Sequence, residues 1–198
     1  MHPRLKRLSG ALEGVDSECA VRWGRILGEE LPRGRRLLAC GNGGSAAEAQ
    51  HLTAELTGRF ATERIPLSAI CLHADTSSLT AIANDYGYGQ VFARQLRAHA
   101  RPGDILICLS TSGSSENVVA AAATAGEIGL RTWALAGASP GALQAVCEES
   151  LAVPSPDPAT VQEVHLSLIH LMCEEVDAVC GAAAPAPRRA GLSAEGAA

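Results

Sequence analysis

Aromatic side chains are nearly missing from this chain of 198 residues: two Trp, two Tyr and two Phe make 3% of it, against 47% hydrophobic residues in all. A core packed on large rings is thereby excluded. What is left for the interior is Ala, Leu, Val and Ile, whose modest volumes let helices and strands approach closely. Long apolar runs are also absent, and no stretch approaches the ~18 consecutive apolar residues of a membrane span. The basic start, with Arg4, Lys6 and Arg7, is not followed by the apolar segment that a secretory signal requires. The expectation is a soluble, cytoplasmic protein with one domain over residues 1–181.

No two cysteines form a C-x-x-C pair, and their number, seven, is odd. Cys40, Cys71 and Cys108 each lie in an apolar run, so buried reduced thiols are expected and a cysteine metal site is not. No long basic block occurs and the net charge is −5, which argues against nucleic acid as the main partner. Arg33, Arg35 and Arg36 precede an apolar run and read as solvated loop charges.

What is present is alternation. Five short apolar runs, Leu37–Cys40, Ser68–Leu72, Ile105–Ser110, Thr132–Ala136 and Leu151–Val153, are bounded by Gly, Pro or charge, as buried parallel strands are. Segments with helical spacing lie between them: Ser45–Thr57, Val91–Ala100, Glu116–Gly129 and Gly141–Glu148. The pattern predicts an α/β fold, a five-stranded parallel sheet sandwiched between helices. Two helical segments fall outside the alternation, one from about Leu5 to Leu31 and one from Thr160 to Val179. The tail from Ala182 is rich in Ala, Pro and Gly, and disorder is expected there.

Two loops have the composition of anion sites. Gly41-Asn42-Gly43-Gly44-Ser45 joins the first run to a helix; its glycines admit a ligand close to the backbone, and Ser45 is placed to cap the helix. Gly41-x-Gly43-x-x-Ala46 also fits a degenerate dinucleotide fingerprint, but Asp75, the candidate ribose acid, stands too far along. No Gly-Lys-Ser/Thr follows, which excludes a nucleotide P-loop. The second loop, Ser110-Thr111-Ser112-Gly113-Ser114-Ser115 before Glu116, gathers five hydroxyls at a helix entrance, a neutral cradle for a phosphate; a plain serine-rich cap would need only one. Both follow strand ends, where open α/β sheets bind ligands.

His51 and Glu55 share a helix face, with Glu48 on the same stripe. Gln162 and His170, eight apart on the last helix, stand about 80° from one another around its axis. By spacing alone, a surface His–Glu pair and a satisfied core histidine are the commoner outcomes, and a metal or catalytic role stays open beside them.

GNGGSAAEAQHLTAEL, AIANDYGYG, STSGSSENV and VQEVHLSLIH, in that order, resemble the successive signatures of the phosphoheptose isomerase family, across residues 37–170. STSG alone marks only the wider sugar-isomerase (SIS) fold, which is flavodoxin-like; the combination is much more specific. The resemblance implies substrate contacts by Asn42, Gly43, Gly44, Glu55, Asn84, Asp85, Ser110, Thr111, Ser112, Ser115 and Gln162. It implies a zinc site of His51, Glu55, Gln162 and His170, with Glu55 and His170 as the acid/base pair. It further implies a homotetramer with sites at subunit interfaces, the N-terminal helical segment serving assembly. The reaction implied is ketose–aldose isomerisation of sedoheptulose 7-phosphate through an enediol. Asn84 and Asp85 read equally well as a turn before Gly87. Glu163 and His165 carry no assigned role, and Ala46 and Ala47 are small enough to widen the pocket.

Rival readings have their own discriminators. One is a non-enzymatic SIS protein that binds sugar phosphates or associates with a replication initiator; the initiator-associating group lacks the carboxylate at the Glu55 position and the imidazole at the His170 position. A sugar-phosphate-sensing regulator needs an appended DNA-binding domain. An oxidoreductase would bind NAD at the Gly41 turn.

Overall fold

The structure, a computed structural model, describes residues 1–138 and 141–183. Five parallel strands, β1 (Leu37–Cys40), β2 (Ala69–Cys71), β3 (Ile105–Ser110), β4 (Arg131–Ala136) and β5 (Glu149–Ala152), form one sheet in the order β2-β1-β3-β4-β5. β1 to β4 match the expected runs closely, and β5 begins two residues early. The order reverses between β1 and β3, so a crevice opens at their carboxyl ends.

Helices cover both faces. α1 (Pro3–Glu13), α2 (Ser17–Glu30), α3 (Gly44–Thr57) and α8 (Pro158–Ala183) pack on Leu37, Ala39, Ile105, Ile107, Leu109, Trp133 and Leu135. α4 (Thr76–Tyr86), α5 (Val91–His99), α6 (Glu116–Ile128) and α7 (Ala142–Val146) pack on Leu38, Cys40, Leu106, Cys108 and Ala134. The alternation along each strand puts successive residues on opposite faces, so near-continuous apolar strands serve both cores.

Small residues set the spacing of α2 and α8. A Cβ on Gly24 would stand 2.6 Å from the Met172 carbonyl oxygen, and one on Gly28 2.7 Å from Val179 Cβ. The close approach lets Trp23 reach the sheet, where it stacks on Trp133 with ring centroids 4.8 Å apart and planes 4° from parallel. The two tryptophans of the chain thus share one fully buried position.

Several expectations need correction. The single N-terminal segment is two helices, broken where Gly14 packs on Pro154 and Asp16 caps α2 by accepting from Cys19 N–H. α4 was not expected: its hydroxyl-rich sequence has little apolar periodicity, and none of its residues is buried. Asp75 caps α4 by accepting from Ser77 and Ser78 N–H, which explains that residue without a ribose. Arg36 is not a solvated loop charge, since its guanidinium grips the buried Asp104 carboxylate at 2.7 Å. Six cysteines are buried and Cys71 is half-buried. α8 extends to Ala183, past the expected start of the tail, whose remainder lies outside the described residues. Among the described residues no helix is long and apolar enough to cross a membrane.

Candidate active site

The two glycine- and serine-rich loops meet at the crevice between β1 and β3. Gly43, at φ 57° and ψ −122°, holds a backbone conformation that side-chain-bearing residues rarely adopt. This turn lets α3 start at Gly44, so the cap position is Gly43. Ser45, expected as the cap, is instead a buried residue of the first turn. Asn42 reaches across the crevice: its amide donates to Asn117 Oδ1 at 2.8 Å and accepts from Asn117 Nδ2 at 3.0 Å. Tyr88 donates to the same Asn42 oxygen at 3.2 Å. This reciprocal amide pair fixes one loop on the other, and neither Asn117 nor Tyr88 is among the expected site residues.

In the serine loop, Ser110 is buried while Thr111 and Ser115 are half-buried and Ser112 is exposed. Ser110 Oγ stands 3.4 Å from Ser112 Oγ and 3.2 Å from Ser115 Oγ, and Ser114 donates to Ser112 at 3.2 Å. These separations exceed the usual O–H···O distance of about 2.7–2.8 Å, so the hydroxyls hold one another loosely and can turn to an incoming anion. Ser115 occupies the cap position of α6, yet its side chain makes no capping bond.

α3 and α8 bring the distant signatures together. His51 Nε2 lies 2.9 Å from His170 Nε2 and 3.6 Å from Glu55 Oε1. Two Nε2 atoms this close cannot both carry protons pointing at one another. Gln162 lies against Gly44, where an added Cβ would stand 2.6 Å from Gln162 Cδ. Phe60 packs its ring on His170, centroids 5.4 Å apart. Glu48 does not join His51 and Glu55. It is buried with its carboxylate 3.7 Å from the enclosed His165 ring, which also meets the Ala136 carbonyl at 3.3 Å. Glu163 pairs with Arg4 at 2.6 Å and so ties α1 to α8.

Asn84 and Asp85 are neither a turn nor part of this gathering. They form the exposed last turn of α4, where Asn84 donates to Asp85 Oδ1 at 2.8 Å. Ala46 is half-buried and Ala47 exposed beside the glycine turn. His73 approaches the Ala46 carbonyl at 2.9 Å, and burial holds its pKa below the ordinary imidazole value.

The donor set suits a borderline metal. Ligands at about 2.0–2.1 Å from a tetrahedral zinc stand roughly 3.3 Å from one another. The two edges that meet at His51, 2.9 and 3.6 Å, bracket that spacing. As they stand, no three His, Cys, Asp or Glu side chains among the described residues close into a group that could hold a metal ion. Glu55, with three rotatable bonds, has the freedom to close that set.

The sequence profile of the SIS domain family matches residues 20–137. The phosphoheptose isomerase of Streptomyces coelicolor is 57% identical over 173 residues, 87% of this chain and 75% of that protein. Among solved structures, a phosphoheptose isomerase from Neisseria gonorrhoeae is 42% identical with a TM-score of 0.80, covering 87% of this chain and 92% of that one. One from Francisella tularensis is 35% identical with a TM-score of 0.81, covering 88% and 92%.

Proposed function

The chain belongs to the phosphoheptose isomerase family, a group of sugar-phosphate isomerases, and we propose that it interconverts sedoheptulose 7-phosphate and D-glycero-D-manno-heptose 7-phosphate. The observation that carries this reading is the meeting of His51, Glu55 and His170 beside the crevice that holds the two anion-type loops. Neither a binding module nor a dinucleotide enzyme needs that combination.

Ser110, Thr111, Ser112 and Ser115 grip the C7 phosphate. Asn42, Gly43 and Gly44 line the sugar chain from the β1 side, with Gln162 opposite, while Asn84 and Asp85, exposed on α4, reach sugar hydroxyls across a subunit interface of the proposed assembly. Binding the remote phosphate fixes the reacting carbons and lowers the entropy cost of the chemical step. Glu55 takes the proton from C1 of the ketose, which leaves a cis-enediol. His170 moves the proton between O1 and O2, and a proton is returned to C2 to give the aldose. The proton count balances, and no electrons leave the substrate.

His51, Glu55, Gln162 and His170 are the residues that would hold zinc. When bound, the ion supplies Lewis-acid stabilisation for charge that develops on the enediol oxygens. The support is the chemistry of the donors and the two edges at His51, which lie on either side of the spacing expected of zinc ligands.

The reading extends to a cytoplasmic homotetramer with sites at subunit interfaces. Its support is the thin cover on one edge of the fold: β2 is only half-buried and α4 has no buried residue. The direct test is incubation of purified protein with sedoheptulose 7-phosphate, followed by NMR. Appearance of aldose C1–H resonances is expected, and an unchanged ketose spectrum overturns the assignment.

A further inference from the structure

A second polar cluster lies two helical turns along α8 from His170. Arg64, in the loop between α3 and β2, is enclosed with 1% of its side chain exposed, and Asp177 with 5%. Arg64 Nε donates to Asp177 Oδ1 at 2.9 Å. Its Nη2 donates to the Glu55 carbonyl at 2.6 Å, and Nη1 to the Leu56 and Ile65 carbonyls at 2.9 and 3.0 Å. The other Asp177 oxygen accepts from Ala61 N–H at 2.9 Å, Thr62 N–H at 2.8 Å and the Thr62 hydroxyl at 3.2 Å.

The placement has a meaning that a generic buried ion pair would not. The last carbonyls of a helix have no partner within it, and a last turn without partners frays. In α3 two of those carbonyls belong to Glu55 and Leu56, and Arg64 takes both. The loop segment held by Asp177 follows directly on Phe60, whose ring packs on His170. Asp177 is seven residues beyond His170, so the two lie on one stripe of α8. One knot therefore fixes the main chain of Glu55, the ring that seats His170, and the register of α3 on α8.

We propose that Arg64 and Asp177 are positioning residues that hold Glu55 and, through Phe60, His170 in their reactive arrangement. The proposal rests on the roles given above to Glu55 and His170. Arginine is required because only its planar fork reaches an acid and several carbonyls together; the lysine ammonium is a single point.

The test uses Arg64→Lys, Asp177→Asn and Phe60→Leu in the full chain, with Phe60→Tyr as the conservative control. Three readouts are taken: steady-state kinetics on sedoheptulose 7-phosphate, thermal melting, and the ring resonances of His51 and His170 by NMR without substrate. A displacement of the reacting groups by about 1 Å lowers kcat by about 100-fold. Such a loss is expected in the three variants, with KM changed little because the phosphate loop is untouched, and with both imidazole resonances moved. Phe60→Tyr is expected to retain activity and resonances.

A merely structural knot would lower the melting temperature but leave kcat per folded molecule and the imidazole resonances at their wild-type values, which overturns the proposal. If Arg64→Lys does not fold, Asp177→Asn and Phe60→Leu decide by the same criteria. If the wild-type protein fails to isomerise the sugar, the functional reading falls while the imidazole resonances still decide the knot.

Discussion

His51 and His170 are 119 residues apart in sequence, and their Nε2 atoms are 2.9 Å apart in space. Neither helix makes a site alone. α3 offers a His–Glu pair at one-turn spacing, side chains 38% and 22% exposed, which by itself is an ordinary surface pair. α8 adds the second imidazole and changes what the pair can do.

Glu55→Gln is expected to abolish turnover, because the amide cannot accept the C1 proton. General base loss costs about 10²–10⁴-fold in rate. The variant should keep its circular dichroism spectrum and still bind sugar phosphate by calorimetry. Near-normal activity would remove Glu55 from the assigned role.

Gly44→Ala tests the contact between the glycine turn and α8. Its new Cβ would stand 2.6 Å from Gln162 Cδ, so Gln162 must leave. A fall in kcat/KM of about tenfold, on the order of one lost hydrogen bond, is expected. The melting temperature should change little, since Gln162 is only half-buried and free to turn outward.

Asn117→Ala leaves the Asn42 amide without its reciprocal partner. A group left unsatisfied costs about 1–3 kcal/mol, and part of that cost should appear as a raised KM because Asn42 loses its orientation. Asn117→Asp keeps one of the two bonds and should fall between. Kinetics with the same KM in all three proteins would show that the bridge does not orient the loop.

Gly24→Ala should destabilise the fold by forcing α2 away from α8. Its methyl would meet the Met172 carbonyl at 2.6 Å, and overpacking of this kind costs about 1–3 kcal/mol. For a chain of this size each kcal/mol lowers Tm by about 2–4 °C. A calorimetric scan reads it directly.

Asp177 gives a pH signature. Burial pushes its carboxyl up, but N–H groups of Thr62 and Ala61, then the Arg64 guanidinium, outweigh burial and hold it below the ordinary value of 3.8. A carboxyl depressed in the native state stabilises the fold above its unfolded pKa. That stability is lost as the pH falls through the native value. The gap in Tm between wild type and Asp177→Asn should therefore be widest above pH 3.8 and shrink as acid is added below it. A gap independent of pH would show that the carboxylate charge is not what holds the knot.

The sheet was readable because buried parallel strands leave dense apolar runs, and β1, β3 and β4 begin or end within a residue of theirs. α4 was not, since a helix lying on the outside with no buried residue has no apolar stripe to read. The break between α1 and α2 was hidden for another reason. It depends on Gly14 meeting Pro154, a contact across the whole chain. His51, Glu55, Gln162 and His170 were visible through motif order. Arg64 and Asp177 were not, for an arginine in a charged loop and an aspartate near a helix end look solvated until 113 residues of separation are closed by folding. Asn117 was hidden likewise, as its partner lies in the other loop.

The stacked indoles at the α2–sheet contact give the molecule a built-in optical gauge. With no third tryptophan present, all of its indole emission arises from one dry spot, and two near-parallel chromophores 4.8 Å apart couple electronically. Lifting the N-terminal layer from the sheet would decouple and wet them together. Near-ultraviolet dichroism and emission wavelength thus report the seating of that layer, and any step in which they change while activity persists would separate the outer layer's attachment from the catalytic crevice.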